Sequence, residues 1–206
     1  MKVKNIVIAQ DRFSLLGGIT TVNRLLGRAF EEAGYNVSYL ALYDNTGNNP
    51  DAVTPDFVVH SGDLISKTTH NKLAFDNPGP WGTVLAAKKG FTALWDRYNE
   101  ARTRRYLQSV GDETVILTTM TGIAAYLVDF ARSAQKQGSG YLYEFHNSYD
   151  SSYRLDAEKE LRQISDTFDS FVALSEGDAQ LFAQWLNRPV DAVSNLNASL
   201  DPAVEQ

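Results

Sequence analysis

The chain has 206 residues, 43% of them hydrophobic and 21% charged, with a formal net charge of −6 and no cysteine. That composition supports a globular core in one large domain or two small ones, and the acidic balance argues against a nucleic-acid partner, which calls for a basic surface. The lack of cysteine excludes disulfides, thiolate metal sites and a cysteine nucleophile, and nowhere do the roughly 18 consecutive apolar residues of a membrane span occur. The opening Met1-Lys2-Val3-Lys4 has no signal-peptide pattern, so a cytoplasmic location is expected.

Residues 3–8 form a β-branched run of the kind found in strands buried on both faces. A polar stretch ending in Gly17-Gly18 follows. Then Ile19, Val22, Leu25, Leu26, Ala29, Phe30 and Ala33 recur at helical spacing. Thr20 or Thr21 is the expected cap, and Gly34 the expected stop. Residues 37–43 read as a second strand, which completes a βαβ unit with a right-handed crossover.

Residues 44–77 carry mostly loop signals, with a short strand at 57–60, and residues 75–82 are rich in turn formers around Trp81. Residues 84–107 read as the longest helix, and its end places Arg102, Arg104 and Arg105 where cations favour the dipole. Those arginines are read first as a solvated helix end, and otherwise as a contact to anionic lipid or a phosphate polymer. Strand 114–119, helix 123–136, strand 141–145, helix 155–168, strand 170–174, helix 177–186 and a last strand at 190–193 follow. This alternation predicts an α/β fold: one Rossmann-like domain over residues 1–206, an open, mostly parallel sheet with helices on both faces.

Ligands of such sheets sit beyond the carboxyl ends of the strands. That edge collects residues 10–18, 119–122, 146–150 and 175–176. Gly17 and Gly18 leave room for a ligand beside a helix N-terminus, whose free N–H groups and positive dipole end attract an anion. A bare Gly-Gly pair serves equally as a tight turn, and neither a Gly-x-Gly-x-x-Gly nor a Gly-Lys-Ser/Thr sequence is present. Glu144 and His146 are two residues apart, hence on one side of an extended strand. A strand-end histidine can donate to a reacting hydroxyl or leaving group, or simply be satisfied by a neighbouring carbonyl. Tyr149 and Asp150 lie in a polar aromatic loop suited to carbohydrate. His60, His70 and His146 have no metal-ligand spacing, so no metal is expected.

Taken together, these residues resemble the N-terminal, acceptor-side domain of a GT-B glycosyltransferase of the retaining family 4 type. The resemblance rests on Gly17-Gly18 and the segment Phe30-Glu31-Glu32-Ala33-Gly34-Tyr35-Asn36-Val37, which is similar to the family's leu-ala-x-x-leu-x-x-x-gly-his-x-val pattern, with Tyr35 in the usual histidine position. It continues through His146, Phe171-Val172-Ala173-Leu174-Ser175-Glu176 and a hinge-side Val193-Ser194-Asn195. It implies a nucleotide-sugar co-substrate, with Gly17 and Gly18 at the donor's phosphates and a catalytic His146 beside the transferring sugar. Glu144, Tyr149, Asp150, Ser175 and Glu176 become acceptor or donor contacts. The acceptor is a sugar, lipid or wall polymer, with peripheral membrane contact in the lipid case. The family's Glu-x7-Glu motif is absent, so the nucleotide-holding domain is expected to lie outside this chain, which alone would be inactive. The alternative is a stand-alone Rossmann-type nucleotide- or sugar-binding module without transferase activity.

Overall fold

In a computed structural model the described residues are 3–14, 18–43, 52–60, 80–134, 139–150 and 158–193, with the backbone alone described at 80–93, 133–134 and 158–159. The elements in chain order are β1 (Asn5–Gln10), α1 (Gly18–Glu32), β2 (Asn36–Tyr43), β3 (Phe57–His60), α2 (Pro80–Val110) and β4 (Thr114–Thr118). After them come α3 (Thr121–Ala134), β5 (Gly140–Phe145), α4 (Glu158–Ser165), β6 (Ser170–Ala173), α5 (Glu176–Leu186) and β7 (Asp191–Ala192).

The strands form one sheet in the order β3-β2-β1-β4-β5-β6-β7, and every pair is parallel. The fold class is therefore the expected Rossmann-like one. β1 sits between β2 and β4, with Ile8 facing Tyr39 on one side and Leu117 on the other. Strand order reverses there: the chain builds outward from β1 to β3, then crosses to β4 and builds the other way. At such a switch point neighbouring loops leave in opposite directions and open a crevice.

Alternation along the strands divides the core. Ile6, Ile8, Ala41 and Leu117 pack with Leu26 and Phe30 of α1 on one face. Val7, Ala9, Ile116, Tyr143 and Phe145 face the other way, toward Ile123 and Leu127 of α3, Leu161 and Ile164 of α4 and Phe182 of α5. The Phe145 and Phe182 rings stack with centroids 3.8 Å apart, and Phe182 is fully buried. Truncating such a phenylalanine to alanine costs about 3–5 kcal/mol.

Three expectations are corrected. First, α1 begins at Gly18, so Thr20 and Thr21 lie inside it and do not cap it. Second, its buried face is wider than the predicted stripe: Val22 is buried and Leu26 and Phe30 pack on the core as expected, but Thr20, Asn23 and Gly27 are buried too and Ala29 is exposed. The sheet edge supplies polar partners for Thr20 and Asn23, so the helix turns those residues inward. Third, the turn-like run 75–82 is helical from Pro80 onward. Proline fits a first helical turn, where its missing N–H costs nothing. The rest of that run lies outside the described residues, as do 44–51.

Gly34 stops α1 as expected. It adopts a positive φ of 89°, and its N–H bonds Glu31 O while that of Tyr35 bonds Phe30 O, both at 3.0 Å. The Phe30 and Tyr35 rings meet edge to face across this cap, the apolar contact that often accompanies it.

Candidate functional site

Gln10 ends β1 and is 1% exposed. Its Nε2 donates to Arg12 O at 3.0 Å and to Thr20 Oγ1 at 2.9 Å. Its Oε1 accepts from Asn23 Nδ2 at 2.8 Å, and that amide also donates to Thr119 Oγ1 at 3.2 Å. One buried polar network thus ties the end of β1, the loop after it, α1 and the end of β4. Each bond contributes about 0.5–1.5 kcal/mol net, and leaving a buried member unpaired costs about 1–3 kcal/mol. The network fixes where the glycine loop starts and where its helix stands.

Asp11 follows. Its Oδ1 accepts from the backbone N–H of Ile123 at 2.7 Å, which places a carboxyl group on the N-terminus of α3. Gly122 makes room for it, because a Cβ there would lie 2.5 Å from Asp11 Oδ2. Burial pushes the Asp11 carboxyl above its ordinary range, against the lowering effects of the Ile123 N–H and the Arg12 guanidinium. Arg12 in turn lies over the Tyr43 ring, 5.2 Å from its centroid. The N-terminus of α5 is also supplied from within the chain. Ser175 caps it in an extended conformation, accepting from Asp178 N at 3.1 Å and donating to Asp178 Oδ2 at 2.8 Å. The first turn of α1, by contrast, contains no acidic residue.

Gly18 opens α1 and is exposed. Among the described residues, a Cβ added at Gly18 would meet nothing within 4 Å, and its φ is outside the left-handed region. Among the described residues, neither packing nor backbone conformation requires glycine at this position. Gly17 lies outside the described residues.

Glu144 and His146 come together as their spacing predicts. Oε1 of Glu144 lies 3.4 Å from Nε2 of His146, and their side chains are only 10% and 5% exposed. The separation suits an ion pair, but no hydrogen bond forms, and among the described residues the buried Nε2 has no other partner. Both residues follow the parity of Leu142, whose side chain packs on the α1 face of the sheet.

The other predicted residues have more structural surroundings. Asp178 Oδ1 accepts the Tyr149 backbone N–H at 2.8 Å, and the Tyr149 ring packs edge-on against Phe182 and Trp185. Ser175 is the cap just described. Asp150 and Glu176 are exposed. Tyr149, Ser175 and Asp178 thus form one group and Glu144 with His146 another, along the same sheet edge.

Local pattern reading placed Gln10 and Asp11 on this edge without assigning either a role, and it missed Asn23 and Asp178. Asn23 interrupts an apolar stripe and was the available signal; Asp11 had none, since its partner is 112 residues away. His60 belongs to a packing cluster: it stacks on Tyr43 and lies 3.2 Å from the Asn99 amide. With that amide turned so that its oxygen faces His60, the same oxygen also accepts from Trp95 Nε1 at 3.1 Å and its nitrogen donates to Val59 O at 3.0 Å. Burial lowers the His60 pKa, while Asp96 acts in the opposite sense. His70 lies outside the described residues, among which no group of three or more metal-ligating side chains is found and no helix is long and apolar enough to cross a membrane.

No protein-family model matches the chain, and no curated protein matches it. Among solved structures it is similar to an α-glucosyltransferase in complex with UDP and a 13-mer DNA containing an HMU base, at 11% identity over 92% of this chain, with a TM-score of 0.45. The chain spans 42% of the length of that protein.

Proposed function

We propose that this chain is the acceptor-side half of a GT-B type glycosyltransferase, transferring a sugar with retention from a nucleotide-sugar to an acceptor. The observation that carries the reading is the placement of His146. Its ring is held against a buried Glu144 at the carboxyl end of β5, on the edge where Gly18 opens α1 beside the switch point. In this reading Gly17 and Gly18 bring backbone amides to the donor's diphosphate, and His146 hydrogen-bonds the transferring sugar as positive charge develops on it. The chain's own carboxyl groups at the starts of α3 and α5 favour α1 as the helix that receives the phosphates.

The acceptor is a sugar, lipid or wall polymer rather than nucleic acid, in keeping with the net charge of −6. The partner domain that grips the nucleotide comes from outside these residues, and without it the chain binds donor weakly and transfers nothing. No metal or other cofactor is called for, because the amides and the helix dipole supply the positive field.

The test is product analysis of the protein as its gene encodes it, against a panel of nucleotide-sugars. Consumption of one of them with formation of a glycosylated acceptor supports the reading. Binding of a nucleotide or sugar without any transfer supports a stand-alone binding module and overturns it.

A further inference from the structure

The Glu144 carboxyl group is buried, and among the described residues its ion-pairing partner is His146. Of the two ring nitrogens, Nε2 is closed to solvent and faces that carboxyl at 3.4 Å. A buried N–H gains most by donating to a carboxyl acceptor, and the group facing one imidazole nitrogen decides which tautomer prevails. We propose that Glu144 is a positioning residue which holds the proton of neutral His146 on Nε2, leaving Nδ1 as the bare nitrogen that meets the ligand.

This inference rests on His146 being the ligand-facing residue of the proposed transferase, and it replaces the expectation that Glu144 itself touches donor or acceptor. Three features support it. Glu144 lies within β5, paired to Val172 of β6, so its backbone is fixed on that side. His146 follows directly after the strand, outside the β5–β6 pairing, with Nε2 already 3.4 Å from the carboxyl oxygen. Catalytic hydrogen bonds are commonly long in a ligand-free site and tighten when it fills. With Nε2 committed inward, His146 acts on its ligand as an acceptor through Nδ1 when neutral, and as a donor through Nδ1 once protonated.

The experiment is long-range proton–nitrogen NMR of the ring nitrogens of His146 in the full chain, above about pH 9, where an imidazole is neutral. His146→Gln assigns the signals. The wild type is expected to show Nε2 protonated and Nδ1 bare. Glu144→Gln, whose amide oxygen accepts the same N–H, is expected to keep that pattern, and Glu144→Ala to lose it to a mixture of tautomers. A proton on Nδ1 in the wild type overturns the proposal, and so does an unchanged tautomer in Glu144→Ala. The wild-type measurement stands even if Glu144→Ala fails to fold. Because the readout needs no turnover, an Nε2-protonated ring in a protein that transfers no sugar rejects the transferase reading alone. A proton on Nδ1 in an active enzyme rejects the Glu144 role alone.

Discussion

Asp11 and Ile123 stand 112 residues apart in sequence, and a hydrogen bond of 2.7 Å from the Ile123 backbone N–H to Asp11 Oδ1 joins them. The bond spans the switch point, fastening the loop after β1 to the helix after β4. It also sets a pH dependence. Burial raises the Asp11 carboxyl above 3.8, so the folded chain holds this proton more tightly than the unfolded chain does. Stability from this group is therefore greatest below the unfolded pKa and falls as pH rises through the folded one. Urea unfolding of wild type and Asp11→Asn between about pH 3 and 7 should show the wild type losing ground as pH rises, then levelling off. A wild type that gains on Asp11→Asn as pH rises contradicts the assignment.

Two glycines on this edge should respond oppositely to alanine. At Gly122 the new methyl would meet the Asp11 carboxyl, held in place by Ile123, and overpacking of this kind costs about 1–3 kcal/mol. At Gly18 it would meet nothing described, and removing a helical glycine is neutral or stabilising by up to about 1 kcal/mol. Gly18→Ala should leave thermal stability intact while weakening donor binding in the complete enzyme. A destabilised Gly18→Ala with unchanged donor binding would show that the glycine only makes a turn.

The network at the end of β1 is a third test. Gln10→Ala removes the partner of Thr20 Oγ1 and one of the two acceptors of Asn23 Nδ2, and Asn23→Ala removes the donor to Gln10 Oε1 and Thr119 Oγ1. Each should cost about 1–3 kcal/mol in denaturant unfolding. Because the two residues share a bond, the double variant should cost less than the sum of the single ones. Simple additivity would mean that the network does not act as a unit.

The distribution of these features explains what the sequence could disclose. Strands such as Phe57–His60 and the alternation of elements are local patterns of composition, and they emerge at their expected places. Gly34 and Ser175 are legible for the same reason, since a helix end is specified by the residues beside it. The Glu144–His146 contact follows from the two-residue period of a strand. What escaped depends on distant partners. Hydrophobic periodicity left Thr20 and Asn23 off the inner face of α1, yet both are buried because Gln10 and Thr119 supply their partners. The carboxyl of Asp11 on α3 has no local signature at all.

The most direct test of the transferase reading is the steady-state kinetics of sugar transfer by the complete gene product and its His146→Ala variant. A group acting on the developing charge should, when removed, lower kcat by about 100-fold or more and leave the KM for the donor nearly unchanged. An unchanged kcat would remove His146 from the chemistry and contradict the account.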